Sequence, residues 1–145
     1  GLKEQLLEDM KAAMRAREEA RLETVRAVRG AITKQEVDGG TELDDKAILD
    51  IIRGLRKQRV ESIEQYRAGG REDLVEREQT ELAVLEAYLP AAPDQATVER
   101  TVRALIDELG ASGMKDMGKV MKAAKEQLPA ADGKSLSGVV RGMLA

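Results

Sequence analysis

The chain has 145 residues, no cysteine and no histidine, and a formal net charge of −3 at pH 7. This composition excludes disulfides, thiol nucleophiles and every catalytic or metal-binding role of histidine. Hydrophobic residues make up 42% of the chain and charged residues 35%, a balance typical of a folded globular protein.

The first part of the chain predicts four amphipathic helices when residues are plotted at about 100° each. They comprise a first segment with Leu2, Leu6, Met10, Ala13 and Met14 on one side, a second from about 19 to 37, a third from Asp44 to Gly69, and a fourth from about 72 to 89. Paired glycines stop the second and third helices, because glycine readily adopts the left-handed conformation that ends a helix. Asp44 is a predicted N-cap.

Three shorter helices are predicted beyond the Pro90–Pro93 segment, where prolines interrupt helical structure. They span about 95 to 109, about 115 to 128, and the stretch after Asp132, a second predicted N-cap. The fold class is therefore all-α. We place a domain boundary near residue 92, giving a four-helix N-terminal unit (1–92) and a three-helix C-terminal unit (93–145).

Four charged residues fall on the apolar stripes of the second, third and fourth helices. They are Arg29, Arg59, Glu78 and Glu81. Two arginines and two glutamates that face one core would form an ion-pair network that fixes the register of the helices. The alternative is a pocket for an anionic ligand or an active site, with the arginines as bidentate ligands of the anion.

Lysines line one side of the sixth predicted helix, opposite Val120, Ala124 and its other apolar residues. The candidate nucleic-acid-binding residues are Lys115, Lys119, Lys122 and Lys125, with Lys134 and Arg141 downstream. Residues 111–145 carry six basic and three acidic residues, so this positive charge is local. A solvated helix face and a site for phosphate groups both fit this pattern.

Methionines occur near the same helix and suggest a different partner. Met114, Met117, Met121 and Met143 could together accept a helix of another protein, because methionine adapts to irregular apolar surfaces. A protein–protein adaptor is therefore the alternative to a nucleic-acid-binding module.

Five segments resemble the GatB/YqeY family, whose members include the tail domain of the B subunit of the Glu-tRNA/Asp-tRNA amidotransferase. They are Leu2–Leu6, Gln58–Ile63, Glu81–Pro90, Asp116–Lys122 and Ala131–Lys134. The resemblance covers essentially the whole chain. It implies a helical N-terminal bundle joined to a small helical C-terminal domain, in agreement with the division drawn from the residues.

The resemblance also implies a function. The tail domain of the amidotransferase is associated with tRNA contact, which makes tRNA the expected partner and Lys119, Lys122 and Lys134 the residues expected to touch its phosphates. Amidotransferase subunits or another protein are further expected partners. The family carries the activity label of a carbon–nitrogen ligase with glutamine as amido-N-donor, but we expect this chain to be non-catalytic, without cofactor or metal.

The distribution of apolar and charged residues also predicts a location for the protein and excludes some partners. No apolar run approaches the roughly 20 residues that a membrane helix requires, and no signal-peptide layout is present at the first residues. We therefore expect a cytoplasmic protein that does not bind membranes. The acidic sequence pI of about 5.2 argues against attraction to nucleic acid through bulk charge, and DNA is not an expected partner.

Overall fold

The computed structural model describes residues 1–145 and consists of seven α-helices and no strand. The helices are α1 (Leu2–Ala16), α2 (Glu19–Gly39), α3 (Asp45–Ala68), α4 (Glu72–Glu86), α5 (Gln95–Leu109), α6 (Met117–Gln127) and α7 (Gly133–Leu144). A short 3₁₀ helix, Met114–Asp116, precedes α6. The all-α prediction is confirmed. The chain forms two compact units, 1–89 and 90–145.

Local capping explains several of the helix boundaries. The side chains of Asp44, Asp94 and Asp132 each accept a hydrogen bond from a backbone N–H in the first turn of α3, α5 and α7. Gly40 and Gly110, both with positive φ, end α2 and α5. The caps predicted at Asp44 and Asp132 are thus present.

The end of α1 was not visible in the sequence. Arg17 adopts the left-handed conformation with φ of 56° and is the one non-glycine residue with positive φ. Its N–H and that of Glu18 bond to the carbonyls of Met14 and Ala13, which otherwise lack partners at a helix end. The left-handed conformation costs an arginine more free energy than it costs a glycine, so helix ends of this kind usually contain glycine. Because no glycine lies at this position, the sequence did not predict the turn.

The N-terminal unit packs α1 to α4 around an aliphatic core. The main cluster of buried residues comprises Leu6, Val25, Val28, Ile32, Ile48, Ile52 and Leu85. Helices α3 and α4 form a hairpin across Gly69 and Gly70, and α2 packs on both α1 and α4. This arrangement brings charged side chains of α3 and α4 to the same interface.

The C-terminal unit packs α5, α6 and α7 against one another. Its buried residues are Val98, Val102, Leu105, Val120, Ala124, Leu136, Val140 and Leu144. Because Val120 and Ala124 lie one turn apart, they fix which side of α6 faces this core. The opposite side of α6 is consequently exposed to solvent.

Candidate nucleic-acid interface

The exposed side of α6 presents Lys119, Lys122 and Lys125. These residues follow at intervals of three, so they lie along adjacent turns, and all three are exposed. We call them the α6 lysine face. None of the three forms an ion pair with a carboxylate. Lys119 Nζ donates a 3.4 Å hydrogen bond to the carbonyl oxygen of Leu109, which holds its ammonium group near the end of α5.

Acidic residues near the α6 lysine face do not neutralise it. The carboxylate of Asp116 accepts a 3.0 Å hydrogen bond from the backbone N–H of Ser112, so it stabilises the turn before α6. Glu126 is exposed and forms no ion pair with these lysines. The positive charge of the face is therefore available to a phosphate group.

The remaining three predicted cations lie on other elements. Lys115 is exposed in the 3₁₀ helix, so the sixth helix begins two residues later than predicted and Lys115 is not part of it. Lys134 and Arg141 are exposed in the first and last turns of α7. They are seven residues apart, which places them on one side of that helix, about 10 Å apart along its axis.

Most of the methionines that were proposed to bind a partner helix pack against the core of the C-terminal unit. Met117, Met121 and Met143 are half-buried against its core, whereas Met114 is 47% exposed. A partner helix would therefore meet one well-exposed methionine rather than a row of four.

A second group of charged residues joins α3 to α4. Arg59 Nε lies 3.1 Å from Oε2 of Glu81 and 3.5 Å from Oε2 of Glu78, with the Arg59 side chain 21% exposed. Neither Arg59 Nε nor Glu78 Oε2 has a hydrogen-bond partner, so the attraction is electrostatic rather than a well-aligned hydrogen bond. These three residues thus meet as an ion-pair cluster.

Burial controls the ionisation of Glu81. Loss of hydration raises the pKa of this carboxyl group above its ordinary value, and this effect outweighs the opposing attraction of the Arg59 guanidinium. The neighbouring carboxylate of Glu78 raises the pKa further. Arg59, Glu78 and Glu81 are absent from the linings of both grooves described below, which favours a structural role for the cluster.

Arg29 does not join this cluster, and its predicted place in the network is wrong. It is half-buried between α1 and α2, where its Nη1 lies 3.2 Å from the sulfur of Met10. The reason is geometric: α2 packs on both α1 and α4, and Arg29 lies on the side of α2 that faces α1. Its guanidinium therefore cannot reach the α3–α4 hairpin.

A polar contact that the sequence did not indicate links α1 to the segment that follows α4. The hydroxyl of Tyr88 donates a short hydrogen bond to Asp9 on α1, and Arg21 on α2 lies 3.7 Å from the same carboxylate. Burial, followed by the bonded carboxylate, raises the pKa of the Tyr88 hydroxyl. These residues border a groove of 980 Å³ that also includes Gln79 of α4.

Comparison with known families identifies the chain. The model of the YqeY-like protein family matches residues 3–144, almost the whole sequence. The chain belongs to the YqeY-like family. The predicted resemblance to the family is confirmed.

Several curated relatives of this chain come from fungi. The protein named altered inheritance of mitochondria protein 41, mitochondrial, of Eremothecium gossypii is 33% identical over 97% of this chain and 79% of its own length. Its namesakes of Lachancea thermotolerans and Kluyveromyces lactis are 36% and 37% identical, over 72% and 70% of this chain. The chain covers 57% of the length of each of these two proteins.

The names of these relatives correct one expectation. They are called mitochondrial proteins, which contradicts the cytoplasmic location expected from the sequence. Composition and the lack of a long apolar run do not distinguish a protein of the cytoplasm from one inside an organelle. These features therefore could not predict the location. None of the seven helices is both long enough and apolar enough to cross a bilayer.

Proposed function

We propose that this chain is a non-catalytic tRNA-binding module that binds the phosphate backbone through the α6 lysine face. The observation that carries the proposal is the exposure of Lys119, Lys122 and Lys125 along one side of α6 without ion-paired carboxylates. Ammonium groups in this state release counterions from nucleic acid when they contact phosphates, which is the main source of non-specific affinity.

The chemistry of the C-terminal unit favours a folded RNA over a single strand. Both aromatic residues, Tyr66 and Tyr88, belong to the N-terminal unit, so residues 90–145 offer no ring on which an unpaired base could stack. Contacts to phosphates and to the shape of an A-form helix do not need aromatic residues. A tRNA body supplies both features.

The resemblance to the tail of the amidotransferase B subunit supports tRNA as the RNA and amidotransferase subunits as accompanying proteins. The acidic N-terminal unit opposes bulk attraction to nucleic acid, because residues 1–92 carry 20 acidic and 16 basic residues. Binding is therefore local, modest and sensitive to salt. A protein partner that holds the N-terminal unit would raise the effective affinity of the C-terminal unit.

Charge reversal on α6 tests this proposal. Binding of bulk tRNA is measured by fluorescence anisotropy at low salt for the unmodified chain, for Lys119→Glu/Lys122→Glu, and for the matched control Lys34→Glu/Lys57→Glu. The control changes two exposed lysines of the N-terminal unit by the same total charge. We expect the α6 variant to lose binding and the control to keep most of it. Equal losses, or no binding by the unmodified chain, would refute the proposal.

A further inference from the structure

A second groove in the N-terminal unit contains a guanidinium group without a carboxylate partner. It lies between α1 and α2, has a volume of 330 Å³, and is bordered by Leu7, Arg29, Ile32 and Thr33, among others. This volume is within the range of small-molecule sites. Arg29 is half-buried there, so its charge has lost part of its hydration.

The contacts of Arg29 leave most of its donors unused. A guanidinium carries five N–H donors, and Arg29 uses one of them in a side-chain hydrogen bond to the sulfur of Met10. A thioether sulfur is a weak acceptor and carries no charge. Arg29 forms no ion pair, whereas Arg59, the other arginine on an apolar stripe, faces two carboxylates. The positive charge of Arg29 therefore has no ion-paired counterion within the chain.

The Glu36 carboxylate, at the other end of the groove, already has a cationic partner. Glu36 forms an ion pair with Lys3 and also accepts a 2.8 Å hydrogen bond from the backbone N–H of Leu43. Arg29 and Glu36 are seven residues apart on α2, which separates them by about 10 Å along the helix axis. Glu36 consequently does not serve as the counterion of Arg29.

We propose that this groove binds a small aliphatic monocarboxylate, with the carboxylate on the Arg29 guanidinium. The planar guanidinium suits bidentate recognition of a carboxylate. The Thr33 hydroxyl, one turn further along α2 on the same groove, supplies a second donor. The aliphatic part lies along Leu7 and Ile32. Arg29 is the cation of this groove without an ion pair, because Lys3 is paired with Glu36, and one free positive charge matches a monocarboxylate better than a doubly charged phosphate.

The probes for this site are hexanoate and its neutral isostere hexanamide, titrated into the ¹⁵N-labelled full chain and followed by amide chemical shifts. Hexanoate is expected to perturb α1 and α2 around the groove. The affinity of hexanamide is expected to be lower than that of hexanoate by at least roughly tenfold, because hexanamide cannot form charge-assisted hydrogen bonds with Arg29. Equal binding of both probes would overturn the proposal, as would the absence of hexanoate shifts near Arg29.

Two variants separate the role of Arg29 from general charge and folding effects. Arg29→Met keeps an unbranched apolar side chain beside Met10 and should abolish the preference for hexanoate over hexanamide. Arg26→Met removes an exposed charge from the same helix and should leave that preference intact. If Arg29→Met unfolds the chain, Thr33→Val is the substitute and should weaken hexanoate binding several-fold. A retained preference in the folded Arg29→Met chain, or unchanged hexanoate affinity in Thr33→Val, would refute the assignment.

Discussion

Arg59 on α3 and Glu81 on α4 occupy mirror positions about the turn that joins their helices, and their side chains meet 3.1 Å apart. Each lies eleven residues from Gly70, which adopts a positive φ of 72° in that turn. In an antiparallel hairpin, residues at equal distances from the turn face each other. The ion pair therefore reports the register of α3 against α4.

Removing Arg59 should destabilise the N-terminal unit substantially. In Arg59→Ala, the carboxylates of Glu78 and Glu81 remain close together and poorly hydrated, and Arg77, which also attracts them, is exposed and paired with Glu23. We expect the free energy of unfolding to fall by about 2–3 kcal/mol, since leaving buried charge uncompensated costs several kcal/mol. Urea denaturation followed by circular dichroism measures this change.

Arg56→Ala is the matched control for that measurement. Arg56 lies on the same helix and pairs with Glu86 at 3.7 Å, but both side chains are exposed. Exposed pairs contribute roughly 0–1 kcal/mol, so the control should change stability little. Equal effects of the two substitutions would show that burial of the Arg59 cluster has no energetic consequence.

Replacement of Glu81 by glutamine should have a pH-dependent effect. The pKa of Glu81 is raised in the folded chain, so the folded state binds its proton more tightly than the unfolded state does. Folding then carries a cost for the charged form that is present above the folded pKa and disappears below the unfolded value. Glu81→Gln should therefore gain stability relative to the unmodified chain as the pH rises from 4 to 8. A constant difference, or one that shifts against the variant as the pH rises, would contradict this prediction.

The hydroxyl of Tyr88 should contribute measurably to stability. Tyr88→Phe removes its hydrogen bond to Asp9 and leaves that carboxylate with the more distant Arg21. Hydrogen bonds to charged groups contribute about 1.5–3 kcal/mol, and we expect a loss near the lower value because the site borders an open groove. Tyr66→Phe is the control, since the Tyr66 hydroxyl forms no hydrogen bond within the chain. Urea unfolding of both variants decides whether the loss is specific to Tyr88.

Features that depend on nearby residues could be predicted from the sequence. The apolar periodicity of each helix, the caps at Asp44 and Asp132 and the glycine turns all follow from interactions within a few residues. The contact of Arg59 with Glu78 and Glu81 could also be predicted, because a short turn connects their helices and sets which residues face each other.

Features that depend on the choice of helix neighbours could not be predicted. The contact of Tyr88 with Asp9 joins positions 79 residues apart, and no local pattern relates them. Arg29 was misassigned because its helix contacts α1 as well as α4, and a helical stripe does not say which neighbour it faces. The start of α6 was placed two residues early, because periodicity does not distinguish a 3₁₀ turn from an α-helix.

Single neutral substitutions on α6 should change the salt dependence of tRNA binding in a quantitative way. Each lysine that contacts a phosphate releases condensed counterions, so the slope of log affinity against log salt decreases by about 0.7–0.9 when that contact is lost. Lys122→Gln should show this decrease, with weaker binding at low salt and a smaller difference at high salt. Lys57→Gln, an exposed lysine of the N-terminal unit, should leave the slope unchanged.

The slope separates direct contact from general electrostatic attraction. A loss of affinity in Lys122→Gln with an unaltered slope would mean that the substitution acts through something other than phosphate contact. Lys119→Gln provides an internal comparison, because Lys119 Nζ already donates to the carbonyl of Leu109. If this hydrogen bond persists in the complex, Lys119 has fewer donors for phosphate, and its substitution should reduce affinity less than that of Lys122. The reverse order would indicate that the Lys119 ammonium leaves Leu109 when RNA binds.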